Sequence, residues 1–149
     1  MRLLTPVLSL LALTACAPAP ALTSREAQAA DAALLQAYWG RQQVGAMCSH
    51  RVLGRAGDTL YAWAVCENYQ RVGAAWQAVA GMSSPVVIRL EPQPSVTFPG
   101  DGSRHESDIR RLFPERLHAR ALRHDAATVR QLQAQNQAKL GITAEPAPK

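Results

Sequence analysis

The stretch CSHRVLGRAGDTLYAWAVC, residues 48–66, decides the fold of this chain. Its middle has the Gly and Asp composition of a hairpin turn, and apolar, strand-favouring residues flank the turn on both sides. Because the midpoint of Cys48 and Cys66 falls on Gly57, a loop over residues 56–58 places the two cysteines directly opposite each other. A two-residue loop of Gly57 and Asp58 would instead shift the pairing by one residue.

Further elements are predicted on both sides of this hairpin. Before it, Thr23-Ser24-Arg25-Glu26 has the form of a capping box, and the apolar residues that follow recur at helical spacing, so a helix is predicted at about 24–39. After it, the patterns predict a weaker strand at 74–80, a turn at 81–84, a stronger strand at 85–90 and a short edge strand at 96–98. Together these strands form an antiparallel meander.

The C-terminal third has helical patterns. Ser103-Arg104-His105-Glu106 resembles a second capping box, and Pro114 then kinks the helix or starts a new one. Residues 125–141 predict a polar C-terminal helix, which we expect to be exposed or frayed, and residues 142–149 read as a disordered tail. The expected fold class is therefore α+β, with an N-terminal helix, an antiparallel meander sheet of about four strands and C-terminal helices.

The first sixteen residues have the pattern of an export signal. Arg2 supplies the positive start, and the apolar stretch from Leu3 to Leu13 is too short to cross a hydrocarbon core of roughly 30 Å as a helix. The tetrapeptide Leu13-Thr14-Ala15-Cys16 resembles the lipobox of bacterial lipoproteins. This resemblance implies that residues 1–15 are a signal peptide, that Cys16 carries lipid, and that residues 16–23 form a tether. The alternative is an ordinary secretory signal that happens to end at a cysteine.

Export also bears on the two remaining cysteines. A disulfide persists in the oxidising compartments outside the cytoplasm, so we predict that Cys48 and Cys66 are bonded. A metal-binding thiol pair is disfavoured, because the spacing is not CxxC and no histidine cluster lies nearby.

Composition limits the partners. Residues 16–149 carry 15 basic and 11 acidic side chains, which gives a net charge of +4. Of the whole chain, 48% is hydrophobic. This content suffices for the core of one domain, which we place at 24–124. Arg116, Arg120 and Arg123 fall on one helical stripe, which either contacts an anionic surface or is a solvated face. We expect a bacterial cell membrane or outer membrane location, facing the periplasm or exterior, with lipid on Cys16 as the membrane contact. An envelope protein or an anionic polymer is a candidate partner, and nucleic acid is not.

Residues capable of catalysis form no recognised motif. A loop with two glycines, residues 100–102, could bind an anion weakly, but turn chemistry alone explains it. The four histidines are scattered along the chain: His50, His105, His118 and His124. The last three lie among arginines, which would repel a cation. We therefore expect no catalytic residue, no metal and no cofactor.

A second resemblance covers roughly residues 46–117. The segments Tyr61-Ala-Trp-Ala64, Gly81-Met-Ser-Ser-Pro85, Pro99-Gly-Asp-Gly-Ser103 and Asp108-Ile-Arg-Arg-Leu-Phe-Pro114 are similar to those of small exported bacterial proteins of uncharacterised function. No activity follows from it. The sequence thus favours a non-enzymatic, membrane-anchored envelope lipoprotein that acts as a binding or interaction module. The alternatives are an envelope hydrolase and an inhibitor of exported hydrolases, the latter prompted by a cystatin-like order of helix and strands.

Overall fold

A computed structural model describes residues 20–40 and 44–141. The predicted signal peptide, Cys16 and the predicted tail at 142–149 lie outside the described residues. Within them the expected α+β class is confirmed: one helix precedes a four-stranded antiparallel sheet, and further helices follow it.

The elements follow one another along the chain in a simple order. Helix α1 spans Ser24–Trp39, and the sheet is a meander in the order β1-β2-β3-β4. The strands are β1 (Ala46–Ala56), β2 (Thr59–Val72), β3 (Ala75–Arg89) and β4 (Ser95–Thr97). The helices that follow are α2 (His105–Leu112), α3 (His118–Leu122) and α4 (Ala126–Lys139), with 3-10 turns at Gly102–Arg104 and Glu115–Leu117.

The capping box of α1 forms as predicted. The Thr23 side chain accepts a hydrogen bond from the Glu26 backbone N–H, and the Glu26 carboxylate accepts one from the Thr23 backbone N–H. This reciprocal pair satisfies two backbone donors that the first turn of a helix leaves unpaired.

The first hairpin pairs the cysteines as predicted, but by a different route. The loop has two residues, Gly57 and Asp58, with Ala56 opposite Thr59 and with φ of 56° at Gly57, which a glycine adopts without strain. That loop shifts the register by one, and a bulge at Leu53 shifts it back. Cys48 therefore lies opposite Cys66, and the predicted disulfide is present.

The predicted turn at 81–84 is wrong. β3 continues through it as a single strand from Ala75 to Arg89, paired with β2 along its length. A Cβ at Gly81 would lie 2.8 Å from the Cys66 carbonyl oxygen, so the glycine permits close approach of two strands.

Helices cover both faces of the sheet. On one face, Ala30 and Leu34 of α1 pack against the disulfide and the apolar side chains around it. On the other, Ile109, Phe113 and Leu117 pack around Leu53, while Leu132 of α4 packs on neighbouring side chains of β2.

Two expectations for the C-terminal helices are wrong. The capping box at Ser103 does not form, because Gly102–Arg104 is a 3-10 turn and α2 begins at His105 without a side-chain cap. Helix α4 is neither exposed nor frayed: Leu132 and Asn136 are fully buried against the sheet. Its predicted start at Asp125, which is the N-cap, is confirmed.

Candidate anion-binding cleft

A cleft of about 280 Å³ opens where the bulge of β1 meets the end of α3 and the start of α4. Three arginines, one aspartate, one threonine and two apolar side chains line it: Arg51, Leu53, Trp63, Arg120, Arg123, Asp125 and Thr128. Arg51 and Trp63 are cross-strand partners, so the sheet register places them on the same face.

Neutral oxygens hold two of the guanidinium groups in place. Arg51 Nη1 donates to the Thr128 hydroxyl, and Arg120 Nη1 donates to the Leu53 carbonyl oxygen at 2.9 Å. Because Leu53 is the bulged residue, the same irregularity that restores the strand register also positions Arg120. Each guanidinium has five N–H donors, so a single contact leaves donors for a ligand.

Asp125 is the one carboxylate in the lining. Hydrogen bonds from the Thr128 hydroxyl and the Ala127 backbone N–H hold the pKa of Asp125 below its usual range, so the group is charged at neutral pH. These bonds use its oxygens to cap α4 and to orient Thr128. Three positive side chains thus face one negative side chain that is already occupied.

The predicted arginine stripe is divided by the structure. Arg123 lines the cleft and makes no hydrogen bond or ion pair with any described residue, and Arg120 lines it beside Arg123. Arg116 is also unpaired within the described part of the chain, but it lies on the 3-10 turn and does not line the cleft. Arg51, which sequence reasoning missed, completes the group.

Trp63 forms an apolar wall of the cleft. Its indole N–H donates to Ser83 at 2.8 Å, and its ring meets the His124 ring edge-on with 5.8 Å between centroids. The Trp63 side chain is therefore fixed on both sides and contributes a rigid surface. An anion bound by the arginines would contact this surface with its apolar part.

A second, wider hollow of about 520 Å³ lies beside β1 and contains a histidine and a carboxylate. His50 Nδ1 and Asp31 Oδ1 share a hydrogen bond of 2.8 Å, and Lys139 Nζ lies 2.7 Å from the other Asp31 oxygen. Burial opposes the charge on Asp31, but the hydrogen bonds from His50 and Lys139 outweigh it and lower its pKa. Ser49 also lines this hollow, but adjacent strand residues point to opposite faces, and its buried hydroxyl makes no hydrogen bond to His50 or to any other described residue, so it is not an activated nucleophile.

No family model matches this chain. No curated protein or solved structure is significantly similar to it either. Its function must therefore be inferred from the geometry of its own side chains. Within residues 20–40 and 44–141 there is no group of His, Cys, Asp and Glu suited to a metal ion, and no helix there has the length and apolar character to span a bilayer.

The remaining sequence candidates are used by the fold. The glycine loop at 100–102 is engaged by the protein itself, because the Gly100 N–H donates to Asp108 at 2.8 Å. The same carboxyl group accepts a hydrogen bond from Arg111, and these two contacts lower its pKa. His118 Nε2 lies 2.9 Å from the Phe113 carbonyl oxygen at the end of α2. None of these groups joins the cleft.

Proposed function

We propose that this chain is a lipid-anchored envelope protein that binds an anionic group, a carboxylate or a phosphate, in the cleft of Arg51, Arg120 and Arg123. The lipid on Cys16 holds the domain at the membrane, and the cleft is its binding site. This is the binding-module function that the sequence favours, with a defined site.

The observation that carries the proposal is the imbalance of charge within one small cleft. Three guanidinium groups converge there with a single, occupied carboxylate, and Arg123 has no partner in the described residues. Guanidinium groups bind carboxylate and phosphate oxygens through paired hydrogen bonds, which are stronger than those between neutral groups. The arrangement is therefore selective for an anion over a cation or a neutral ligand.

The size of the cleft limits what enters it. Pockets for drug-sized ligands occupy roughly 300–1,000 Å³, and this cleft of about 280 Å³ lies just below that range. It accommodates one anionic group with a short apolar part. A larger envelope molecule would be held by such a group at one end or on a branch.

The test compares two arginines of the same chain segment. Trp63 lines the cleft, so tryptophan fluorescence can follow titration with acetate and with inorganic phosphate at low ionic strength. Arg123→Gln should weaken binding by about tenfold or more, since hydrogen bonds to charged groups contribute roughly 1.5–3 kcal/mol. Arg116→Gln removes the same charge from an exposed site outside the cleft and is the matched control.

Each outcome has a definite meaning. Weaker binding in Arg123→Gln but not in Arg116→Gln supports the cleft. Added salt should not restore the lost binding, because salt only weakens exposed charge interactions further. Equal weakening in both variants would show a diffuse interaction of the arginine stripe with anions instead. Unchanged binding in Arg123→Gln, or no binding by the parent chain, would contradict the proposal.

The hydrolase alternative has one observation in its favour, the hydrogen-bonded pair of His50 and Asp31. Lys139 occupies the second oxygen of Asp31, and the pair joins α1 to β1. No described nucleophile contacts it. The pair is therefore accounted for as a structural link between elements, and we do not base a function on it.

A further inference from the structure

The β2–β3 hairpin extends well beyond the rest of the sheet. Residues 70–81, which we term the β-arm, are all exposed. Residues 70–77 pair only with each other around the turn at Gly73 and Ala74, and residues 78–81 pair with residues 67–69 of β2. An isolated two-stranded ribbon is at best marginally stable in water, because one partner strand buries little apolar surface. Among residues 20–40 and 44–141, the tip of the β-arm therefore has no third strand or packing layer to stabilise it.

Apart from Arg71, the surface of the β-arm is uncharged and largely apolar. Val72, Trp76 and Val79 are 51%, 36% and 48% exposed. No charged residue occurs from Val72 to Ile88, and the nearest charge, Arg71, places its guanidinium 5.8 Å from the centre of the Trp76 ring. Natural edge strands are usually protected from pairing by charges, and β3 has none from Ala75 to Ile88.

Most of the outer edge of β3 is also unpaired within the described part of the chain. In the described residues β4 pairs only with Val87–Arg89, so β3 has no outer neighbour from Ala75 to Val86. Pro85 has no N–H to donate, which limits further pairing to Ala75–Ser84. A ten-residue edge of this kind is long enough for strand addition, in which backbone hydrogen bonds supply the affinity.

We propose that this edge of β3 pairs with the same edge of a second copy of the chain, antiparallel and about a two-fold axis. A two-fold contact brings each strand against itself, so a strand with charges of one sign would repel its copy. The uncharged sequence from Val72 to Ile88 avoids such repulsion in every register. The contact turns two marginal ribbons into one four-stranded sheet. It does not depend on anion binding, because strand pairing uses the backbone of this edge; the edge meets the cleft only through Ser83, whose hydroxyl accepts a hydrogen bond from Trp63.

The first test measures association. The Cys16→Ser protein that is released from the membrane keeps all described residues and excludes association through lipid. Its sedimentation equilibrium should give twice the monomer mass. Ala78→Lys places a charge on the β-arm and should raise the dissociation constant of the dimer about tenfold or more, since charged edges oppose pairing. Ala32→Lys makes the same change at an exposed position of α1 and should leave the dimer unchanged.

The second test measures geometry and does not depend on any variant failing to associate. A nitroxide is attached to single cysteines that replace Ala75, Gln77 or Ala80 in turn, and the distance between the two labels of a dimer is measured by pulsed electron paramagnetic resonance. In an antiparallel two-fold pair this distance changes by about 6.6 Å per residue along the strand. A monomer at all concentrations, a dimer equally insensitive to both lysines, or label distances that do not vary along the strand would overturn the proposal. A monomeric chain would leave the β-arm free to contact a hydrolase, as the inhibitor alternative requires.

Discussion

Glu26 shows how much one side chain near the N-terminus contributes to this fold. Its carboxylate accepts hydrogen bonds from Thr23 at the start of α1, and it lies 2.7 Å from Arg55 at the end of β1. The hydrogen bond from Arg55 is the strongest influence, followed by the bonds from Thr23, and together they lower the pKa of Glu26 to about 2. The residue thus joins helix capping to the contact between α1 and the sheet.

This pKa predicts a pH-dependent stability. A carboxyl group whose pKa is lower in the folded than in the unfolded chain stabilises the fold above its unfolded pKa, and that contribution is lost as the pH falls to the folded value. The parent protein should therefore melt at a higher temperature than Glu26→Gln at pH 7. The difference should decrease below about pH 4.5 and vanish near pH 2. Thermal melts followed by circular dichroism from pH 7 to pH 2 measure it.

Glu115→Gln serves as the control for this prediction, because Glu115 is exposed and makes no ion pair within the described part of the chain. It should lower the melting temperature little and show no comparable pH dependence. A Glu26→Gln difference that stays constant over the whole pH range would contradict the assignment.

Asn136 shows what a sequence pattern cannot reveal about a single residue. Four glutamines in α4 suggested a solvated helix, yet Asn136 is fully buried and donates to the Val65 carbonyl oxygen at 3.1 Å and to Glu67. Tyr69 and Gln133 also donate to Glu67. Burial and the Glu67 carboxylate raise the pKa of Tyr69, which keeps its hydroxyl a donor. Only the tertiary structure supplies these partners. The face of α4 that packs on the sheet therefore contains polar as well as apolar side chains.

At the scale of elements, local signals predicted some starts and turns, but they failed at the Ser103 capping box and at the turn of residues 81–84. The capping box of α1, the N-cap at Asp125 and the Gly57 turn depend on neighbouring residues and were predictable. The composition of Gly81-Met-Ser-Ser-Pro85 also suggested a turn, but pairing along the length of β2 overrides that preference. The bulge at Leu53 has no sequence signature, and the correct cysteine pairing depended on it as much as on the turn.

The cleft could be predicted only in part, because a local pattern reveals neighbours within one segment and not residues from distant segments. Arg120 and Arg123 could be selected from helical spacing, because both belong to one chain segment. Arg51 lies about 70 residues earlier, and only the register that pairs it with Trp63 brings it to the same place. Periodicity within one element cannot indicate a binding site that is assembled from separate elements.

The disulfide between β1 and β2 should contribute measurably to stability. It links residues 18 apart, and closing a loop of that size stabilises a protein by about 3 kcal/mol, chiefly by restricting the unfolded chain. Replacing both Cys48 and Cys66 by alanine should lower the free energy of unfolding by about this amount in urea titrations. Reduction of the parent protein with dithiothreitol should give a similar loss, and this agreement is the control. Two free thiols in the natively purified protein, or equal stability of the variant and the parent, would contradict the prediction.

At the scale of the whole molecule, the β1 and β3 edges of the sheet differ in how they are covered. Lys139 reaches across the β1 edge from α4, contacting Asp31 of α1 and the Cys48 carbonyl oxygen. This contact covers part of the edge with a charged side chain and connects the helical layers on the two faces. The β3 edge has no comparable cover in the described residues. This difference agrees with the proposal that the β3 edge, unlike the covered β1 edge, pairs with a second copy of the chain.

The attachment of this molecule to a membrane is the remaining whole-molecule prediction, and it depends on Cys16. The apolar stretch before Cys16 is about ten residues long, too short to anchor the chain as a spanning helix. Two or more acyl chains, by contrast, hold a protein firmly, since each buried methylene contributes roughly 0.8 kcal/mol. Cys16→Ser should therefore yield unlipidated protein that is either uncut at this site or released from the membrane. Membrane fractionation with intact mass measurement distinguishes these states from the lipidated parent.

The double replacement of Cys48 and Cys66 by alanine is the matched control, because it removes thiols without touching the lipobox. That variant should remain lipidated and in the membrane fraction even though its domain is less stable. A Cys16→Ser protein that is still lipidated and fully membrane-bound would refute the anchor. A parent protein that is cut, unlipidated and soluble would instead establish an ordinary secretory signal, and the anion cleft would then act in solution, since no residue lining it belongs to the predicted signal or tether.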